Sequence, residues 1–367
     1  MKVSGTYYRS VWWDAAAAAL CIIDQRWLPH DFRTQQLATV DDYATAIREM
    51  RVRGAPLIGV SAAYGIARAM RDDPSNANLD SAWALLNETR PTAINLRWAL
   101  ERCRRALASV EPARRATAAL TLAHAIADED VATNQQIGEY GLALIREIAG
   151  KKGSGEPVRI LTHCNAGWIA TVDHGTATAP IYLAHDQGIP VHVWVDETRP
   201  RNQGGLTAWE LANHGVSHTY MTDNAGGHLM QHGLVDLVIV GADRVTGRGD
   251  VCNKIGTYLK ALAARDNGVP FYVAVPSSTI DWTVEDGVNE IPIEERTQSE
   301  VINVQGVLPS GEIASVRVTP AGTPCGNPAF DVTPGRLVTG LITERGLCPA
   351  TRVGIASLFP EMERGAA

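Results

Sequence analysis

Several common signatures are missing from the sequence. Its six cysteines (Cys21, Cys103, Cys164, Cys252, Cys325 and Cys348) stand far apart, with no CxxC pair. That spacing excludes a zinc ribbon, argues against a disulfide scaffold and fits a reducing cytosol. No apolar run is long enough to span a bilayer: "AAAAALCII" at 15–23 is short and runs into "DQRWLP", so it reads as a strand or short helix of the first domain. "MKVSGTYYRSVWWD" lacks an apolar signal core. Basic tracts are absent and the net charge of −7 is spread along the chain, unlike a nucleic-acid binder. "GSG" at 153–155 precedes its strand, and no Walker-type loop occurs, which removes a nicotinamide or nucleotide cofactor. The expectation is a cytoplasmic protein with no cofactor, no nucleic-acid partner and no membrane partner.

What is present is a chain of 367 residues, 45% hydrophobic, long enough for two domains with real cores. Residues 1–150 read as a mainly helical domain. Helical spacing runs over 40–54, 55–70, 78–88, 92–109, 113–128 and 134–149. "KKGSGEP" (151–157) marks the boundary. Residues 151–367 alternate short β-rich runs ("VRILT", "VHVWV", "SHTYM", "LVDLVIVGA", "VPFYVAV") with helical stretches. The fold class is therefore α/β: a helical N-terminal domain with a small sheet, then a Rossmann-like domain built on a parallel sheet.

In such sheets ligands gather at the carboxyl ends of the strands. Polar clusters fall there: "THCN" after 158–162, "DETRPRNQGG" after 191–195, "TDNAGG" after 217–221 and "GADRV" after 236–240. Four decorated strand ends make one shared active site more plausible than four separate loops. Asp243 is delivered by the apolar "LVIVGA", and the loop after it leads toward a helix expected near Lys254, whose ammonium and free N–H groups suit an anion. Arg53 with Gly54, Ala55 and Pro56 offers a second anion cradle at a helix entry, though a plain helix start with an outward arginine fits as well. Arg90 precedes a proline in the same manner. In "DETRPRNQGGLTAWEL" Glu197 and Arg199 are expected to pair and hold the loop, and Gln203, near the glycines, to touch a ligand ahead of a helix from about Leu206.

A metal is not expected. His228 and His232 have i, i+4 spacing but lack the adjoining glutamate and a third ligand. A His163–Cys164 hydrolase pair is disfavoured because neighbours on a strand point to opposite faces. Cys164 stays open between packing and reagent on these grounds.

Taken together, "RVRGAPLIGV", "TRPTAINL", "THCNAGWIAT", "DETRPRNQGGLTAWEL", "GADRVTGRGDVCNKIGTY", "IPIEER" and "DVTPGRLVTGLITERG" closely resemble the methylthioribose-1-phosphate isomerase family. The likeness runs in order from about residue 12 to about 350. Its relatives include regulatory subunits of the initiation-factor-2 exchange factor, which share the fold without the catalysis, and ribose-1,5-bisphosphate isomerases. The resemblance implies a homodimer that converts 5-methylthioribose 1-phosphate, a small sugar phosphate, to 5-methylthioribulose 1-phosphate in methionine salvage. It implies catalytic roles for Cys164 and Asp243, the latter as proton donor. It implies substrate contacts from Arg53, Gly54, Ala55, Arg90, Gln203, Asn253 and Lys254, of which Asn253 is indicated by the resemblance alone. Two departures stand out. "QGGLTAWEL" is one residue shorter than the usual "QGARLTAWEL", losing an arginine beside Gln203. Ala166 and Trp168 replace a threonine and a smaller residue. The alternatives are an isomerase of 5-deoxyribose 1-phosphate or ribose 1,5-bisphosphate, or a non-catalytic regulatory protein of the initiation-factor branch.

Overall fold

The computed structural model describes residues 1–90 and 93–362. Near the N-terminus the strands Val11–Asp14, Ala19–Ile23 and Thr34–Leu37 form an antiparallel sheet with Ala19–Ile23 in the centre, so the 15–23 segment is largely a buried strand. Helix Val40–Arg48 opens on a capping box: Thr39 accepts from the Asp42 N–H, and the Asp42 carboxylate accepts from the Thr39 N–H at 2.8 Å. It ends earlier than 54, because Met50 is left-handed (φ 59°) and residues 51–54 turn the chain into helix Ala55–Asp72.

Helices Asn76–Asn87 and Ile94–Leu107 follow. The two segments expected at 113–128 and 134–149 are one helix of 38 residues, Pro112–Ala149. Nothing between them breaks the backbone, since 129–133 reads Glu-Asp-Val-Ala-Thr without glycine or proline. Its first half packs Ala119, Ala123, Ile126 and Ala127 into the core of the helical part. Its second half packs Ile137, Leu142 and Ile145 into the core beneath the large sheet.

That sheet has seven strands in the order Gly346–Cys348, Gly340–Thr343, Phe271–Ala274, Leu237–Val240, Val158–Thr162, Val191–Asp196, His218–Met221. All neighbours are parallel except the Gly340–Thr343/Gly346–Cys348 hairpin at one edge. Strand order reverses at Val158–Thr162, which pairs with Val191–Asp196 on one side and Leu237–Val240 on the other. A crevice opens at such a reversal, beyond the carboxyl ends of the strands. Cys164 and Asp243 leave two adjacent strands there. A second, four-stranded sheet stands above it in the order Ile280–Asp281, Arg244–Thr246, Val251–Lys254, Phe330–Thr333. Among the described residues no helix is long and apolar enough to cross a membrane.

Candidate active site

The residues expected to react with or bind a substrate reach one cavity. Arg53, Gly54, Ala55, Arg90, Cys164, Gln203, Asp243, Asn253 and Lys254 all line it, with Met50, Asn165, Thr171, Thr176, Pro276 and Phe330 among their neighbours. The helical part supplies one wall. Gly54 (φ +98°) caps helix Ala55–Asp72 and lies so close to the Ala170 loop that a Cβ would sit 2.3 Å from the Ala170 carbonyl oxygen. Only glycine lets the helix entry, with Arg53 before it, press against the sheet's crevice. Arg90 faces Glu294 at 3.7 Å. Pro91 and Thr92, where the sequence suggests a helix start, lie outside the described residues.

The opposite wall begins where the strand Val158–Thr162 has ended. Cys164 is left-handed (φ 67°), a costly conformation for a residue other than glycine. Its backbone is fastened at both poles: the N–H donates to Thr198 Oγ1 at 2.8 Å and the carbonyl accepts from Thr207 Oγ1 at 2.8 Å. The next residues are held by the buried Glu210 carboxylate. It accepts from Asn165 Nδ2 (2.9 Å), the Trp168 N–H (2.8 Å), the Ile169 N–H (3.0 Å) and the Tyr182 hydroxyl (2.9 Å). Thr198, Thr207 and Glu210 had no role in the sequence reading. All three fall inside quoted motifs, but their partners are distant in the chain, so only the fold pairs them.

Local expectations need correction in several places. Lys254 does not begin a helix. It ends the strand Val251–Lys254, and the helix starts at Thr257, so Lys254 reaches the cavity as a strand residue with its Nζ 4.4 Å from the Phe330 ring centre. The run Val-Cys-Asn-Lys pairs antiparallel with Phe330–Thr333 across the sheet, and this tertiary pairing overrides the helical reading. Helix Gln203–His214 starts at Gln203 rather than near Leu206, which buries Gln203 at its first turn. Glu197 and Arg199 do not hold the loop as a pair: Arg199 donates to the carbonyls of Pro200 and Val301, and its N–H to Asp223. Of the two unusual positions, Ala166 lines the cavity, whereas Trp168 is fully buried and stacks on Trp209 at 5.9 Å. His228 and His232 lie side by side at the end of helix Ala225–Gln231. One cluster of potential ligand atoms, His163, Asp196 and Asp223, exists elsewhere among the described residues. There the Lys260 ammonium already stands 3.2 Å from Asp196.

The electrostatics of the cavity are those of charges withdrawn from water. Burial pushes the Asp243 carboxyl up, against the pull of Lys254, Arg90 and Arg53. Burial likewise raises the Cys164 thiol, opposed by Lys254 and Arg53. It lowers Lys254, and it brings Arg53 down to about 10. Arg53 Nε and Nη2, Arg90 Nε and Gln203 Oε1 are buried with no hydrogen-bond partner. Two guanidiniums, an ammonium and an amide thus line one cavity with a carboxyl and a thiol. Such a set binds an anion and can move a proton next to it.

Residues 51–350 match the Initiation factor 2 subunit family. The chain is similar to the methylthioribose-1-phosphate isomerase of Sinorhizobium medicae (strain WSM419), 66% identical over 362 residues, covering 98% of this chain and 100% of that protein. It is similar at 64% over 368 residues to the protein of that name from Cereibacter sphaeroides (strain KD131 / KCTC 12085), with 100% of both covered. Among solved structures it resembles the 5-methylthioribose 1-phosphate isomerase of Pyrococcus horikoshii OT3, with TM-score 0.82, 38% identity and 97% of each chain covered. A protein of A. fulgidus described as translation initiation factor eIF-2B, subunit delta, is comparably similar, with TM-score 0.78, 39% identity, and 96% of this chain and 100% of that one covered.

Proposed function

The chain belongs to the methylthioribose-1-phosphate isomerase family, and on that premise we propose that its cavity isomerises 5-methylthioribose 1-phosphate to 5-methylthioribulose 1-phosphate. The observation that carries the reading is the convergence of Cys164 and Asp243 with Arg53, Arg90, Asn253 and Lys254 on one buried cavity. A phosphate on the anomeric carbon leaves the sugar without a free aldehyde, so the ring must open before hydrogen passes from C2 to C1.

Asp243 acts first, as a neutral acid that protonates the ring oxygen. Its burial favours the protonated form, as that role requires. The phosphate sits on Arg53 and Arg90 with Asn253 and Lys254, which fixes C1 and C2 for the transfer. Gln203 and the Gly54–Ala55 helix entry close round the sugar. Cys164 stands beside the reacting carbons as base or as stabiliser of the transfer. Burial outweighs its cationic neighbours and favours the thiol, which supports the stabilising role and a 1,2-hydride shift over removal of a proton by thiolate.

Turnover in heavy water distinguishes the two routes: a hydride shift keeps the substrate's own hydrogen in the ketose, whereas an enediol takes up deuterium. The substrate is tested by kcat/KM on 5-methylthioribose 1-phosphate, 5-deoxyribose 1-phosphate and ribose 1,5-bisphosphate, the first expected highest. Absence of turnover on all three would sink the enzymatic reading and favour a regulatory protein. We also take 1–150 and 151–367 as the two domains, the protein as cytoplasmic and the assembly as a homodimer, which light scattering checks at twice the chain mass.

A further inference from the structure

His163 adjoins the thiol and has no task in the chemistry above. Its imidazole is fully buried, and each ring nitrogen has a partner from a different segment. Nε2 donates to the Ile255 carbonyl at 2.8 Å, and Nδ1 lies 3.0 Å from Asp196 Oδ2. Ile255 follows Lys254. The ring therefore ties the loop that carries the thiol to the residue just past the strand that carries the ammonium.

Both ends of this bridge are built to receive it. The Ile255 carbonyl and the Gly256 N–H are two poles of one peptide group. His163 holds the first, and Asp331 Oδ2 accepts from the second at 2.7 Å. Gly256 (φ +102°) presents its bare Cα to the ring, and a Cβ there would lie 3.0 Å from His163 Cε1, so a side chain at that position displaces the imidazole. On the other nitrogen, Asp196 is fixed by Lys260 Nζ at 3.2 Å. The Asp196 carbonyl accepts from Thr198 Oγ1 at 3.0 Å, the same hydroxyl that receives the Cys164 N–H. Thus a path from Lys254 to Cys164 runs through His163, Asp196 and Thr198.

We propose that His163 is a positioning residue that keeps the Cys164 thiol and the Lys254 ammonium in register by bridging Asp196 and the Ile255 carbonyl. The inference rests on the isomerase reading of the same cavity. It predicts an order among isosteric variants. In His163→Gln the amide reaches the place of Nε2 and keeps the link to Ile255. In His163→Asn the amide takes the place of Nδ1 and loses that link. The glutamine variant is expected to keep kcat within about fivefold of wild type and the asparagine variant to lose about 100-fold, both with KM nearly unchanged. A space-filling role would lower Tm in both without this order. Equal kcat in the two variants, or wild-type kcat in His163→Asn, overturns the proposal.

Asp331→Asn loosens the same peptide from its other pole and is read independently should His163→Asn fail to fold. It is expected to cost about tenfold in kcat, and wild-type kcat in the folded variant overturns the proposal. Failure of the isomerase reading itself shows as absence of turnover in the wild type. The bridge is then read by iodoacetamide labelling of Cys164, mapped by mass spectrometry with inorganic phosphate present. Phosphate is expected to protect Cys164 in the wild type and not in His163→Asn, and equal protection overturns the inference.

Discussion

The two walls of the cavity are finished to different degrees. On the thiol wall, the Cys164 N–H and carbonyl and the N–H groups of Trp168 and Ile169 are engaged by Thr198, Thr207 and Glu210, and only the neutral Asn165 Oδ1 and Trp168 Nε1 in that loop are buried without a partner. On the guanidinium wall, Arg53 and Arg90 are desolvated and keep N–H groups without partners. A buried donor left unpaired costs roughly 1–3 kcal/mol, so the fold tolerates at two buried cations what it avoids along the Cys164 backbone. The difference separates two tasks: the first wall fixes geometry, and the second holds binding capacity in reserve for an anion.

The largest effect should come from removing the reacting groups. Asp243→Asn and Cys164→Ser are each expected to lower kcat on 5-methylthioribose 1-phosphate by about 10²–10⁴-fold, and near-normal turnover in both would end the assignment. The next tests the guanidinium wall. Arg53→Met should lower kcat/KM by about 100-fold, since two charge-assisted hydrogen bonds to phosphate, at the low end of roughly 1.5–3 kcal/mol each, together contribute about 3 kcal/mol. The same change should raise Tm without ligand, because it removes a buried cation lacking partners. A fall in Tm would contradict the contrast between the walls.

Glu210→Gln attacks the thiol wall instead. An amide NH₂ would face N–H and O–H donors, so Tm should fall by an amount equivalent to about 2–4 kcal/mol, with a smaller loss of kcat. Calorimetry and initial rates separate the two.

The pH dependence sharpens the picture further. With the Asp243 carboxyl raised from its ordinary value by burial, its neutral form persists to higher pH than that of a free aspartate. kcat/KM should decline as pH rises through the raised value, and this limb should be missing from whatever activity Asp243→Asn retains. The smallest effect lies at the rim. Arg296 and Arg201 hold the Glu300 carboxyl down to about 2. Its contribution to stability is complete above the ordinary glutamate range and is lost as pH falls toward 2. Wild type should therefore lose more Tm than Glu300→Gln between about pH 5 and 3.

The legible part of this molecule was its periodicity and its punctuation. Apolar strands ending in polar clusters announced a parallel sheet and a crevice, and led to Cys164, Gln203 and Asp243 in one place. Asn253 was legible only through the family likeness, because an asparagine in "DVCNKIG" carries no signal by itself. The contacts that organise Cys164 were hidden for a physical reason: Thr207 and Glu210 are separated from their partners by more than 40 residues. At Lys254 the glycine-broken loop points to a helix, while pairing to Phe330–Thr333 makes the residue the end of a strand.

The helix Pro112–Ala149 has a mechanical consequence. At 38 residues it is a beam about 57 Å long, embedded at one end among the helices and at the other beneath the sheet. Swinging one half of the protein away from the other would have to bend that beam, because no loop within it can act as a pivot. Access to the cavity therefore falls to local segments rather than to a hinge between the halves. Substrate should enter by small loop displacements between walls whose spacing the beam holds constant.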